Sequence, residues 1–257
     1  MNPKRILFSM AAGLFVFLSA PSCQRDQNCC GKDSTLVTSL EVANYYQDRR
    51  LTSSHIEISY TNDGHLLKFQ EDFTRYNETL HESHRTFLSV FDYSGRQCVK
   101  TRVEEDGQYA QTYLFNADGT LSEIISEKGE STMFSYANGQ LVSMDNIRYV
   151  WNQGNIVSIQ RADETFPVEY YDVPNPFLGG VDWVIDIGTL LPGDPFGYGF
   201  AGKQNANLIK SVKVGENEYQ WSYEFDGKGR IKHYKQSFYE KDDSAPLIQE
   251  VTLRYCD

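Results

Sequence analysis

A hairpin signature recurs along this chain and constrains its fold more than any other feature. Each copy has an aromatic residue, two or three turn-forming residues, a glycine and, in most copies, an aliphatic residue two positions later. Asp and Asn tolerate a tight turn, glycine supplies a positive φ, and the flanking apolar residues alternate along two antiparallel strands. The glycines of the copies are Gly64, Gly95, Gly119, Gly139, Gly154 and Gly229.

The irregular spacing of these glycines favours a meander of hairpins over a solenoid with a fixed repeat. The content of Tyr and Phe, 17 and 15 residues, also favours strands. Alternation of apolar and polar residues predicts strands at roughly 36–42, 55–61, 65–73, 85–93, 97–104, 109–115, 120–127, 130–136, 140–145, 147–152, 155–160, 166–171, 208–215, 218–225, 230–239 and 247–255.

Almost every connection between these strands is short, so neighbours in sequence should pair. The predicted fold class is therefore all-β: an antiparallel up-and-down meander that forms a highly curved sheet or an open barrel. Full closure would remove the exposed edge strands. A membrane barrel is the rival architecture, but the strands are too polar on both faces to present an apolar band to lipid.

One long irregular or helical insertion, near 172–207, interrupts the hairpins. It is rich in Pro, Gly and large apolar residues, and 182–191 could form a short helix. The segment either folds over the open end or concave face of the sheet and completes the core, or it forms the lid or wall of a ligand pocket. In the second case aromatic rings would suit a sugar or another flat apolar ligand. The candidate binding residues are Phe177, Trp183, Phe196, Tyr198 and Phe200.

The N-terminus carries the pattern of an export signal. Lys4 and Arg5 precede an uncharged stretch of 13 residues, 6–18, which has the length of a signal-peptide core and is too short to span a bilayer. Small residues follow, as signal peptidases require. The sequence therefore predicts a signal peptide over 1–22.

Cys23 directly follows this cleavage site. It resembles the cysteine of the bacterial lipobox, where the thiol receives diacylglycerol, although Ala20 stands where a lipobox usually has Leu. The polar residues 24–28 resemble the signal that sends some Bacteroidetes lipoproteins to the outer face of the outer membrane. We therefore expect an outer-membrane lipoprotein of the cell envelope, periplasmic or surface-exposed, with ordinary secretion as the alternative.

The predicted domain organisation follows from these features. A lipoprotein tether over 23–35 connects the lipidated cysteine to a single β domain over 36–257. The hairpins resemble the YD repeats of large bacterial toxin shells, whose period is regular and whose arrays are longer. Together with the lipoprotein N-terminus and the segment from Tyr170 to Leu208, they also resemble a family of Bacteroides-type lipoproteins of unknown function. That resemblance covers most of the mature chain and implies a one-domain antiparallel β structure with no established activity.

Charge and motifs exclude several activities. Removal of Lys4 and Arg5 with the signal peptide takes the net charge from −11 to −13, and no basic patch stands out, so nucleic-acid binding is not expected. The sequence lacks a G-x-S-x-G elbow, a P-loop and a dinucleotide-binding fingerprint after a strand. No cofactor and no metal site is predicted, and Cys98 is expected to be buried.

The remaining function classes are three. The first is a non-enzymatic binding protein for a glycan, lipid or peptide, which would use the curved sheet and the 172–207 segment. The second is a structural or protein-interaction component of the outer envelope. The third is a glycoside hydrolase-like enzyme, for which Asp182 and Asp186 would be the paired carboxylates. The expected partners are the membrane, through the N-terminal lipid, and a glycan, lipid or protein ligand.

Overall fold

The computed structural model describes residues 36–61, 65–76, 82–176, 202–203 and 205–256. The strands, in chain order, are β1 Val37–Tyr46, β2 Arg49–Tyr60, β3 Leu66–Tyr76, β4 Glu82–Ser94, β5 Gln97–Glu104, β6 Gly107–Phe115, β7 Leu121–Ser126, β8 Ser131–Ala137, β9 Gln140–Met144, β10 Ile147–Asn152, β11 Asn155–Arg161, β12 Glu164–Pro174, β13 Asn207–Val214, β14 Asn217–Phe225, β15 Ile231–Tyr239 and β16 Leu247–Tyr255. Within these described ranges, no helix has the length and apolar character needed to cross a membrane.

Each strand pairs antiparallel with its neighbours in sequence, and β1 also pairs with β16, so the sheet closes into a barrel. At the seam between the two ends of the sheet, Leu40 lies opposite Leu253 and Val42 lies opposite Val251. The predicted all-β, antiparallel, up-and-down fold is confirmed. Closure satisfies the backbone groups that an open sheet would leave unpaired at its two edges.

The predicted strand ranges all overlap observed strands, and the largest differences lie in β1, β2 and β12. The hairpin between β1 and β2 extends through polar residues around 43–54, where apolar alternation is weak. Its two-residue turn consists of Gln47 and Asp48, with φ of 50° and 61°. A turn of this kind normally uses glycine or Asn, so the sequence carries no clear signal for it.

The two ends of the barrel differ in the chemistry of their turns. In an up-and-down barrel alternate turns lie at the same end, and the signature turns all fall at one end, which we call the glycine end. The described signature glycines there, Gly95, Gly119, Gly139, Gly154 and Gly229, have φ between 60° and 85°, as the signature predicts. At the other end, which we call the acidic end, the described turns carry Asp48, Glu105, Asp106, Glu127, Glu130, Asp145, Asp163, Glu216, Glu240, Asp242 and Asp243.

Aromatic side chains brace the glycine end. Five of the strands that run towards this end carry a Tyr or Trp whose O–H or N–H donates to a backbone carbonyl of the preceding strand. The donors and acceptors are Tyr60 to Val37 (2.8 Å), Trp151 to Leu141 (2.7 Å), Tyr170 to Ile156 (2.7 Å), Tyr223 to Ile209 (2.9 Å) and Tyr255 to Ile231 (2.8 Å). Each bond lets a large ring pack inward while its polar atom stays satisfied.

The segment 172–207 leaves and re-enters the barrel at the glycine end. Asn205 Oδ1 accepts hydrogen bonds from the backbone N–H of Ile156 (2.8 Å) and from the Tyr170 hydroxyl (2.9 Å). Asn175 Nδ2 donates to the carbonyl of Asn205 (3.2 Å), and both Asn side chains are buried. The described ends of this segment are therefore fixed to the hairpins of β11 and β12.

Candidate functional site

The inward-facing side chains change character along the barrel axis. Towards the glycine end they are buried and apolar, and include Tyr60, Leu66, Phe91, Cys98, Tyr113, Leu121, Leu141, Ile156, Leu208, Ile231 and Leu253. Barrels of this strand number are wide enough to enclose an aqueous channel. In the described part of this chain, side chains fill the half of the interior next to the glycine end.

Towards the acidic end the interior holds a cavity of about 1350 Å³, which we call the barrel cavity. Its lining includes Asn44, Glu104, Tyr109, Asp145 and Gln249, each within three residues of a strand end at the acidic end. The cavity therefore opens at the acidic end. Its deeper lining continues into the apolar core, so the described interior has the form of a cup.

The walls of the barrel cavity mix apolar and polar groups. Apolar lining comes from Leu40, Val42, Ile56, Phe69, Phe73, Ile124, Met144, Ile147 and Val251. Uncharged polar lining comes from Asn44, Ser54, Gln111, Ser126, Thr132 and Gln249. This composition is typical of sites for small molecules, in which apolar walls supply affinity and a few polar groups fix orientation.

Strand β5 directs charged side chains into this cavity. Lys100 is only 6% exposed, and its ammonium lies 5.6 Å from the ring centroid of Phe69 and 6.0 Å from that of Phe91. Charged groups are rarely buried to this degree without compensating interactions, and the faces of these two rings supply part of the compensation. Lys100 therefore brings a positive charge to the boundary between the core and the cavity.

Arg102 lies two residues further along β5, nearer the mouth. Its guanidinium carbon lies 4.4 Å from the Phe87 ring centroid, and Nε lies 2.6 Å from Glu104 Oε1. At this distance Arg102 and Glu104 form an ion pair. The N–H of Nε is not directed at the carboxylate oxygen, however, so Nε makes no hydrogen bond with any described residue. Nη2 is also buried and has no hydrogen-bond partner among the described residues.

Ser89 lies directly opposite Arg102 on β4 and adds a third polar atom to this patch. The side chain is fully buried, and its Oγ has no hydrogen-bond partner in the described part of the chain. Buried polar groups in folded proteins are nearly always hydrogen-bonded, so such a concentration of unsatisfied atoms is uncommon. We call Ser89, Lys100 and Arg102 the β5 polar patch.

Carboxylates balance the cations inside the cavity. Glu71 lines it from β3 and accepts a hydrogen bond from Ser54 Oγ at 2.7 Å, and Glu104 approaches Arg102. Nearer the mouth the lining adds Glu127, Glu130 and Asp145. In the described lining, the deep cations are therefore those of the β5 polar patch, whereas at the mouth Lys128 is outnumbered by carboxylates.

The outer face of the barrel is polar at mid-height from β14 through the seam to β4. A continuous row of paired residues runs across seven strands from β14 through the seam to β4: Glu224, His233, Thr252, Glu41, His55, Asp72 and Thr86. Hydrogen bonds link some of these neighbours, with His55 Nδ1 2.7 Å from Glu41 Oε1 and Thr86 Oγ1 donating to Asp72 at 2.7 Å. Membrane barrels show the reverse arrangement, with an apolar outward band.

The predicted site residues cannot be placed on this geometry. Cys23, Phe177, Trp183, Phe196, Tyr198 and Phe200 all lie outside the described residues, as do the signal peptide, the tether, the predicted helix at 182–191 and the carboxylate pair Asp182 and Asp186. The described ends of 172–207 lie at the glycine end, whereas the barrel cavity opens at the acidic end. A ligand role for this segment stays a prediction.

Two cysteines belong to the described part of the chain. Cys98 is a free, fully buried thiol, as the sequence predicts, and burial raises its pKa to about 11. Cys256 is disulfide-bonded. The described residues contain no group of three or more His, Cys, Asp or Glu side chains that could hold a metal ion.

The charged residues of the cavity were missed by sequence reasoning, although β5 does carry a signal for them. Side chains on a strand alternate between faces, so a buried Cys98 places Lys100, Arg102 and Glu104 on the same inward face. That alternation was visible in the sequence. The convergence of Ser89, Glu71 and Ser54 on the same region depends on the pairing register and on barrel closure, which no single strand reveals.

Comparison with known proteins identifies a similar fold. The chain is similar to a porin-like protein from Bacteroides uniformis of known structure, with a TM-score of 0.59 and 15% sequence identity, over 87% of this chain and 98% of that one. A porin-like protein from Bacteroides vulgatus aligns over 85% of this chain and 98% of its own, with 11% identity and a TM-score of 0.27, too low to support any argument. No protein-family model and no curated protein matches the sequence. The first likeness establishes a shared barrel fold.

Proposed function

We propose that this protein is a non-enzymatic binding protein of the cell envelope that holds a small, largely apolar molecule in the barrel cavity. The observation that carries the proposal is the division of the barrel interior into a packed half and a hollow half. A cavity of about 1350 Å³ has room for a molecule somewhat larger than a typical drug-sized ligand. A hollow of this size inside an otherwise packed barrel resembles the arrangement of barrels that enclose one small ligand.

The mixed lining supports a ligand with an apolar body. Phe69, Phe73 and Val251 offer apolar contact area, and Gln111 and Gln249 offer hydrogen bonds that would fix orientation. Of the ligand classes that the sequence suggests, a lipid-like molecule suits this lining best, because a glycan would need many more polar partners. A peptide that binds by adding a strand would need unpaired strand edges, and closure of the barrel removes these from the described sheet.

The envelope location rests on other observations. The export pattern at 1–22 and the lipobox-like Cys23 point to a lipoprotein, and the barrel fold is shared with a porin-like protein from Bacteroides uniformis. The polar outer row favours a barrel that stands beside the membrane on its tether. The first described residue, Leu36, lies at the glycine end, so a tether entering there would leave the mouth of the cavity at the far side.

A fluorescence titration with N-phenyl-1-naphthylamine tests the proposal, because this neutral aromatic probe brightens in apolar surroundings. We expect saturable binding to the full chain. Thr132→Trp places a large ring inside the cavity and should weaken binding about tenfold or more, since it removes the space that the probe occupies.

Met133→Trp is the matched control for this test. Met133 is the next residue of β8, is 53% exposed and faces outward, so the same substitution there should leave the affinity unchanged. Thermal melts must show that both variants fold. Absence of saturable binding to the wild type, or equal binding by Thr132→Trp, would contradict a ligand site in the barrel cavity.

A further inference from the structure

We propose that the ligand of the barrel cavity carries a single anionic group, and that the guanidinium of Arg102 binds it. This inference rests on the proposed function, because it names the chemical class of the molecule that the same cavity holds. The ligand is then an amphipathic monoanion, with an apolar body and one carboxylate, sulfonate or similar head group.

The unsatisfied hydrogen-bond donors of Arg102 carry the argument. Nη2 is buried and donates to no described residue, and Nε, although 2.6 Å from Glu104, makes no hydrogen bond to it. The side chain lines the cavity and is 22% exposed, so the guanidinium edge that remains accessible can reach a ligand there. A guanidinium presents its N–H groups in a planar fork that fits a carboxylate or sulfonate with two parallel bonds. The stacking of this guanidinium on Phe87, at 4.4 Å, fixes the plane of the fork.

Two neighbours increase the preference of this patch for an anion. Ser89 lies opposite Arg102 in the strand pairing, and its buried hydroxyl also lacks a partner among the described residues, so no described acceptor offsets the positive charge from that side. Lys100, 6% exposed and on the same face of β5, adds a positive charge in surroundings where low polarity strengthens electrostatic attraction.

The carboxylates of the cavity limit how much negative charge a ligand can bring. Glu71 and Glu104 already offset the two cations of β5, and Glu127, Glu130 and Asp145 surround the mouth. A polyanion such as a sulfated polysaccharide would meet this acidic mouth before it reached Arg102. A small molecule with one charged end avoids that repulsion because its apolar body carries most of its contacts.

The apolar surroundings define where the rest of the ligand lies. Phe69 borders Lys100, while Phe73 and Ile124 line the same cavity away from the charges. An anion bound at Arg102 would therefore place its attached apolar body along aromatic and aliphatic walls. The combination of one anchored charge and apolar walls is the arrangement that selects an amphipath over a free inorganic anion.

Two probes with the same ring frame test this inference on the full chain. 8-Anilinonaphthalene-1-sulfonate carries one sulfonate, and N-phenyl-1-naphthylamine is the same molecule without it. We expect the wild type to bind the sulfonate about tenfold or more tightly than the neutral probe, which is the usual size of a charge-assisted hydrogen bond. Arg102→Gln should abolish most of that difference, weakening binding of the sulfonate far more than binding of the neutral probe.

Lys213→Gln is the matched control, since it removes an exposed cation of β13 that does not line the cavity, and both affinities should stay at the wild-type value. Equal affinities of the two probes for the wild type, or an equal loss of both in Arg102→Gln, would overturn the role of Arg102. Failure of both probes to bind the wild type would instead overturn the proposed function.

A second measurement needs no variant and so does not depend on the folding of Arg102→Gln. Decanoate and decanol have the same chain length and differ in charge. Decanoate should displace the neutral probe from the wild type at a concentration about tenfold lower than decanol does. Displacement at equal concentrations would contradict the anionic head group while leaving a neutral ligand in place.

Discussion

Cys98 and Arg102 lie four residues apart on the same inward face of β5, and they meet opposite surroundings. Cys98 is fully buried in the apolar half of the interior, where burial disfavours a charge. Arg102 lines the barrel cavity, and 22% of its side chain is exposed there. The boundary between core and site therefore falls within one strand, at Lys100.

The buried thiol of Cys98 predicts how stability depends on alkaline pH. Its folded pKa of about 11 lies above the ordinary value of 9.0 because burial disfavours the thiolate, so the folded state keeps a proton that the unfolded state releases. This contribution to stability is complete below pH 9 and is lost as pH rises from about 9 to 11. At pH 10 the loss should be roughly 1 kcal/mol.

Urea unfolding of wild type and Cys98→Ala at pH 8 and pH 10 measures this loss. Buried tyrosines such as Tyr136, whose pKa burial also raises, titrate in both proteins and cancel in the comparison. The wild type should therefore lose more stability than Cys98→Ala over this interval. Equal losses would show that Cys98 ionises as readily in the folded state as in the unfolded one.

Among the structural elements, the braced hairpins of the glycine end explain the aromatic residue in two copies of the sequence signature. The ring packs inward, and its polar atom bonds to the preceding strand, as Tyr60 does with Val37 and Trp151 with Leu141. These two copies therefore supply both a turn and a brace, whereas Phe91 and Phe115 contribute a ring alone.

Loss of one brace should have a measurable cost. Tyr255→Phe keeps the ring, which lies 4.4 Å from the Arg230 guanidinium carbon, but removes the hydroxyl that donates to the Ile231 carbonyl. We expect the free energy of unfolding to fall by about 1 kcal/mol, the usual value of one such bond. Tyr239→Phe on β15, where the side chain is 42% exposed, should change it by less than about 0.5 kcal/mol. Equal effects in chemical denaturation would argue against the brace.

The turns and strand ends differ in how far they could be predicted from the sequence. Hairpins with a glycine signature were predictable, because a positive φ and flanking alternation are local properties. The turn at Gln47 and Asp48 was not, since both residues adopt a positive φ without being glycine. The extension of β1 and β2 towards that turn is held by pairing across the sheet, which local pattern does not record.

At the scale of the whole molecule, the decisive feature is the difference in polarity between the outer and inner faces of the barrel wall. Polar residues such as Glu41 and His55 face outward, while Leu40 and Ile56, their neighbours in sequence, face inward. The alternation of apolar and polar residues predicted that one face of the sheet is apolar. Because the sheet closes into a barrel, this face lies on the inside. The cavity was beyond sequence reasoning, because it arises where inward side chains from strands far apart in sequence fail to meet.

Cys23→Ser tests how the whole molecule is held at the membrane. With a fatty-acid analogue supplied during growth, we expect the wild type to be labelled and to fractionate with membranes. The variant should be unlabelled and should leave the membrane fraction, because the outer row of the barrel is polar. Equal labelling would remove the lipid anchor. An unlabelled variant that stays in the membrane would show that the barrel itself is inserted.

The seam between β1 and β16 has a consequence for the order of folding. Every other pairing joins consecutive strands, whereas the seam brings Asn44 against Gln249. Hairpins form within microseconds. Pairing β1 with β16 closes a loop that contains all the strands between them, which costs more chain entropy than closing a hairpin, so we expect the seam to close last. Until then β1 and β16 are open edges that can pair with a second chain. The interval before the seam closes is therefore when this protein is most exposed to aggregation.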